Sequence, residues 1–147
     1  MDKMVGFYLN EQRYGLTVSS VNRVIPVVDI TPVPNLPDSF LGIINVQGQI
    51  IPVFNLRKPL GLPYRAPVLS DKLIMTNTNS YSMAFLVDRI TDLIDYDEAD
   101  IDKMDGVFCD VMSPVKLPDG IVLLIQNPEH FLQSEDESML QRAIDHD

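Results

Sequence analysis

The sequence predicts an all-β fold with short helical pieces, arranged as two lobes. Two observations predict it: apolar runs bounded by turn residues dominate the chain, and the order of motifs in the first half returns in the second. At 147 residues the chain suits one domain, long enough to bury a core of ordinary size.

Taken in order, "VGFYL" and "RYGLTV" flank the turn-rich "NEQ" as a first hairpin. Ser19 and Ser20 offer an N-cap to a short helical turn through Val21, Val24 and Ile25, closed by Pro26. Pro32, Pro34 and Pro37 make "ITPVPNLP" an extended connector, because each proline pushes its predecessor out of the helical region. "GIINV" and "QIIPVF" follow around a turn at Gln47-Gly48. Gly48 can take the positive φ that a tight hairpin needs, and Pro52, which donates no ladder hydrogen bond, suits an edge strand.

The second half repeats this grammar. "KLIMTN" and "YSMAFLV" flank "TNS", "DRITDLI" follows, and "GVFCDVMSPVKL" turns at "PDG" into "IVLLI". Asn127-Pro128 caps a helical turn "EHFL", and the tail places Met139, Leu140, Ala143 and Ile144 on one helical face. "YGLTVSSVNRVI" (14–25) resembles "YSMAFLVDRITDLI" (81–94), and "GQIIPVFNLRKPL" (48–60) resembles "GIVLLIQNPEHFL" (120–132). Two halves with one strand order suggest two small β-barrels sharing a core, with chance similarity between apolar strands as the alternative. The lobes are expected to meet across a core fed by Ile44, Val46, Ile51, Val53, Val87, Leu123 and Ile125.

Charge narrows the partners. The net charge is −10, and it is uneven: residues 1–73 carry seven Lys/Arg against five Asp/Glu, residues 74–147 four against sixteen. An acidic chain without a basic patch repels phosphate backbones and anionic membrane surfaces, so neither nucleic acid nor membrane insertion is expected. The longest apolar runs fall far short of the ~20 residues of a spanning helix. One cysteine, Cys109, and an N-terminus without a secretory signal point to the cytoplasm.

No residue set carries catalysis. The acidic run "DYDEADIDKMDG" fails as a calcium loop, because setting Gly106 as its sixth position puts Ile101, Lys103 and Met112 where oxygen ligands are required. His130 and His146 lack partners at metal-ligand spacing, and Cys109 lies in an apolar context that makes its thiol inert. No phosphate-binding glycine loop or nucleophile elbow occurs, and the serines have no arranged base. No enzyme activity, cofactor or metal is expected. What remains is surface, the hallmark of an interaction module.

The central segment "FLGIINVQGQIIPVFNLRKPLGL" (40–62) closely resembles the signature of the CheW-like family, the adaptor domain of bacterial chemotaxis. Gly42, Asn45, Gly48, Pro52, Val53, Leu56 and Arg57 match it, and the likeness covers most of residues 5–132. The resemblance implies two small five-stranded SH3-like β-barrels on a shared hydrophobic core, in a single domain over 1–134 followed by an acidic helix or tail over 135–147. It implies a non-catalytic adaptor that couples a CheA-type histidine kinase to the cytoplasmic tips of methyl-accepting chemoreceptors. Carried over by position, the kinase-facing residues are Val21, Arg23, Val24 and Gly42, and the receptor-facing residues are Asn45, Gln47 and Gly48. Gly42 is expected to allow a close backbone approach. Two departures stand out: Arg23 where the family usually has Glu, and Gln47 where it usually has Arg. They leave room for a divergent scaffold in another chemosensory system, such as pilus-based motility, with a different signalling partner.

Overall fold

The computed structural model describes residues 2–77, 82–102, 112–126 and 128; the expectations for Cys109, His130, His146 and the tail lie outside the described residues. The described chain forms strands β1 (Asp2–Leu9), β2 (Gln12–Thr17), β3 (Val21–Pro26), β4 (Phe40–Val46), β5 (Gln49–Phe54), β6 (Lys72–Asn77), β7 (Ser82–Val87), β8 (Arg89–Tyr96), β9 (Met112–Leu117) and β10 (Gly120–Ile125). These make two five-stranded sheets, ordered β8-β1-β2-β10-β9 (barrel A) and β3-β6-β7-β5-β4 (barrel B). No described helix is long and apolar enough to cross a membrane.

The two sheets repeat one plan. In each, a hairpin (β1-β2 or β6-β7) pairs in parallel with the second strand of another hairpin, β2 with β10 and β7 with β5. The barrels are nonetheless not the two sequence halves. β3 leaves β2 to join barrel B, and β8 leaves β7 to join barrel A, so each barrel takes strands from both halves. Swapping the third strand makes the lobes inseparable, since neither barrel closes on chain from one half alone.

Connectors complete the edges in matching ways. After β3, Thr31 exchanges both backbone hydrogen bonds with Ile43 of β4, at 2.8 and 2.9 Å. After β8, Ile101 bridges Val115 of β9, and the Asp102 N–H donates to the Pro114 carbonyl at 2.8 Å.

Two local expectations are corrected. The helical turn expected over Val21–Pro26 is a strand; the helical piece is a 3-10 turn over Val18–Ser20. Val21, Val24 and Ile25 are β-branched, and pairing with β6 satisfies a backbone that a lone turn would leave open. Pro52 does not lie on an edge strand, because β5 sits between β4 and β7. It is tolerated there since the pairing with β7 covers only Val53 and Phe54, so no partner on that side asks Pro52 for an N–H.

The shared core is aromatic. Phe7, Leu9, Tyr14, Leu16 and Ile125 from barrel A meet Phe40, Phe54, Ile74, Met83, Phe85 and Val87 from barrel B, with Leu56 between β5 and β6. Phe54 sits edge-on to both Phe40 and Phe85, at ring separations of 5.3 and 5.6 Å. Of the residues expected at this junction, Val87 and Ile125 belong to it and Leu123 packs against it. Ile44, Ile51 and Val53 instead fill the interior of barrel B, with Val46 beside them. The two faces of a strand separate these roles: Val53 points into its barrel, and the next residue, Phe54, points at the other lobe.

Phe54→Ala should cost about 4 kcal/mol, the range for a buried phenylalanine. Because Phe54 is shared between the lobes, chemical denaturation should show one cooperative transition at lower midpoint. Two separated transitions would mean that the barrels fold independently.

Candidate interaction surface

The residues carried over as kinase- and receptor-facing all lie on barrel B, on its two edge strands and the turn that leads out of one of them. On β3, the pairing with β6 shifts register between Val21 and Arg23. Val21 is half-buried against the shared core, whereas Arg23 and Val24 face solvent. Arg23 makes no ion pair among the described residues.

On the other edge, β4 and β5 join through a two-residue turn in which Gln47 (φ 53°) and Gly48 (φ 84°) are both left-handed. That is the type I′ pattern, whose twist matches the flanking strands. The Asn45 side chain accepts a hydrogen bond from the Gly48 N–H at 2.9 Å, locking the turn from one side. Asn45, Gln47 and Gly48 are all exposed. Gln47 holds a conformation that costs a residue with a β-carbon about 1 kcal/mol, so its side chain is presented at a fixed angle.

Gly42 behaves differently. It is buried, its φ is 155°, and a Cβ there would lie 2.4 Å from the Thr31 carbonyl oxygen. The close approach expected at Gly42 is made within the chain: the connector leaving β3 lies directly on it. Gly42 thus joins the β3 side of the surface to β4, whose hairpin with β5 ends in the exposed turn at Gln47-Gly48.

Beneath this surface lies an ionic cluster that sequence reasoning did not find. Arg57 is only 5% exposed; it donates to the Asn10 side-chain oxygen at 2.9 Å and pairs with Asp88. Arg65 bridges Asp88 and the buried Asp71, at 2.6 and 2.7 Å. Asp88 also accepts the Asn10 backbone N–H at 2.7 Å, and Asp71 accepts the Val68 N–H at 2.9 Å. Burial pushes the Asp88 carboxyl up, but the donors from Arg65, Asn10 and Arg57 outweigh it and hold the group below the usual carboxylate value. Arg57 stood in the signature and Asp88 in the repeat, but nothing in the sequence pairs positions 31 apart.

No group of His, Cys, Asp or Glu among the described residues could hold a metal ion. The arrangement offers rigid edges and an exposed tip.

Comparison with known proteins now decides the family. The family model described as the CheW-like domain matches residues 3–136. The chain belongs to the CheW-like family. It is 34% identical over 100 residues to the chemotaxis protein CheW of Thermotoga maritima, covering 68% of this chain and 66% of that one. It is 24% identical over 108 residues to CheW of Helicobacter pylori, covering 74% and 66%. The chain thus spans just under two thirds of the length of these relatives. The scaffolding protein TtCheW of Thermoanaerobacter tengcongensis superposes with a TM-score of 0.80 at 29% identity, over 90% of this chain and 94% of that one. The two-barrel plan is therefore the CheW-like fold.

The cluster makes a testable prediction. A carboxyl held low in the folded state contributes stability above its unfolded value of roughly 4, and that stability is lost as pH falls through the lower folded value. Asp88→Ala should cost about 3 kcal/mol at neutral pH, because it strands the buried Arg57. The variant's unfolding free energy should also fall less steeply than the wild type's below about pH 4. Parallel acid limbs for the two proteins would show that Asp88 is not held low.

Proposed function

We propose that this chain is a non-enzymatic adaptor that couples chemoreceptors to a CheA-type histidine kinase. Membership of the CheW-like family supports this reading, as does the description of a structural relative as a scaffolding protein. The observation that carries it is that barrel B exposes two distinct features: the β3 strand with Arg23 and Val24, and the left-handed turn at Gln47-Gly48. A coupling protein needs two surfaces that do not compete, and edges stiffened before binding spare the ordering cost of association.

On this reading Val21, Arg23 and Val24 face the kinase, with Gly42 holding the connector behind them. Asn45, Gln47 and Gly48 face the receptor tip. Arg23 is an exposed cation without an ion-pair partner among the described residues, so it fits an acidic group on its kinase. Gln47 supplies a neutral donor and acceptor to the receptor where an arginine would need a carboxylate or carbonyls for its fork.

Recovery of both a histidine kinase and a chemoreceptor in a pull-down from the native cell tests the whole reading; recovery of neither sinks it. Arg23→Glu should weaken kinase binding by about tenfold with an unchanged melting temperature, measured by titration against the cognate kinase. Unchanged affinity would remove Arg23 from the contact. Gln47→Arg should weaken binding to the cognate receptor tip by about 1 kcal/mol, since it adds an unmatched charge. Tighter binding would mean that the receptor still carries a partner for arginine.

A further inference from the structure

The turn between β9 and β10 carries chemistry that the surfaces on barrel B do not use. Leu117 pairs with Gly120, leaving Pro118 and Asp119 as the two turn residues. The Asp119 side chain is 68% exposed, and a Cβ added at Gly120 (φ 137°) would meet nothing within 4 Å. An aspartate followed by glycine is the pair most open to attack of the backbone on its own side chain, because no β-carbon shields the glycine nitrogen. In the repeat Gly48 matches Gly120, which sets Gln47 against Asp119. Glutamine would have to close a six-membered ring, a slower reaction, so of the two matched turns the one in barrel A is the reactive one. The chain's other Asp-Gly pair, Asp105-Gly106, lies outside the described residues.

Arg13 of β2 opposes this reaction. Both of its terminal nitrogens donate to the Asp119 carboxylate, at 3.2 and 3.3 Å. As a stabilising ion pair the contact is poor, since it is long and one partner lies in water. Its effect on the carboxyl is chemical: the hydrogen bonds from Arg13 hold Asp119 below the usual carboxylate value. A neutral carboxyl is the form that reacts, because it can release its hydroxyl as water, whereas a carboxylate resists attack. Asp92 and the Lys3-paired Asp95 of β8 line one cavity of about 350 Å³ with Asp119, and Arg13 is the one cation lining it among the described residues. Without Arg13 the carboxyl would stand among like charges, which favour its neutral form.

We propose that Asp119-Gly120 is a site of spontaneous isoaspartate formation and that Arg13 restrains it. The Gly120 amide nitrogen attacks Cγ of Asp119 and forms a five-membered succinimide; the amide proton and the carboxyl hydroxyl leave together as one water. A second water then opens the ring at either carbonyl. Opening at Cγ returns aspartate, and opening at the main-chain carbonyl leaves the backbone running through Cγ, one methylene longer. No oxidant or cofactor enters. The lengthened turn no longer matches the pairing of Leu117 with Gly120, so conversion loosens the hairpin that carries Leu124 and Ile125 into the two cores.

The full chain and its Arg13→Gln, Arg13→Lys and Asp119→Asn variants are incubated at physiological temperature and mildly acid pH, below the melting temperature of each. Aliquots are digested with a protease that cuts before aspartate but not before isoaspartate, and mass spectrometry quantifies the uncut peptide spanning residue 119. The wild type should accumulate that peptide slowly, Arg13→Gln about two- to fivefold faster, as loss of an exposed ion pair allows, and Arg13→Lys near the wild-type rate. Asp119→Asn closes the same ring with ammonia as the leaving group and should convert fastest, read from the mass change on deamidation. An Asp119→Asn chain that keeps its amide shows that the turn cannot close the ring and overturns the proposal. Equal rates in the wild type and Arg13→Gln overturn it as well, since Arg13 then restrains nothing. Arg13→Lys as fast as Arg13→Gln traces the rise to a loosened hairpin and overturns restraint by charge.

Discussion

The carboxylate of Asp88 stands at the one residue between β7 and β8, where the chain leaves barrel B for barrel A. Its backbone N–H is given to the Tyr8 carbonyl at 3.0 Å, and its side chain gathers the β1-β2 turn through Asn10 and the long β5–β6 connection through Arg57 and Arg65. Segments far apart in sequence thus depend on a single anion. The cluster holds together because each buried charge is met: Arg57 is out of water, and without Asp88 it would be an uncompensated cation. The counterpart crossing, between β2 and β3, runs through the 3-10 turn Val18–Ser20, whose residues carry no charge. The two lobes share a plan of strands but not of charge, so only one crossing is ionically tied.

From that tie the outer surface inherits its stiffness. Arg65 connects Asp88 to Asp71, Asp71 shapes the turn before β6, and β6 carries β3 along its edge. At the opposite edge, Gly42 lets the connector from β3 lie on β4, and β4 leads into the left-handed turn at Gln47-Gly48. On the proposed reading the chain works by presenting surfaces in a fixed relation, and these contacts restrict freedom that binding would otherwise have to remove.

Charge is sorted the same way. The excess of acid falls in residues 74–147, while the β3 edge of barrel B presents Arg23, with Lys72 on the neighbouring β6. Such an arrangement discourages promiscuous contact between the acidic portions of neighbouring molecules.

Much of this architecture was legible in the residues themselves. Alternating apolar runs and turn residues located the strands, Gly48 marked a turn that needs positive φ, and the matched motifs announced a repeated plan. Those features are local, governed by dihedral preference and side-chain period, so sequence by itself determined them. What only the tertiary structure decided is non-local. Val21–Pro26 became a strand because β6 was available to pair with it; Pro52 could sit inside a sheet because the pairing with β7 begins one residue later, at Val53. Gly42 serves its own chain's Thr31, and Arg57 meets Asp88 only because two strands trade barrels. Contacts of that kind depend on which segments arrive side by side, and no single segment carries that information.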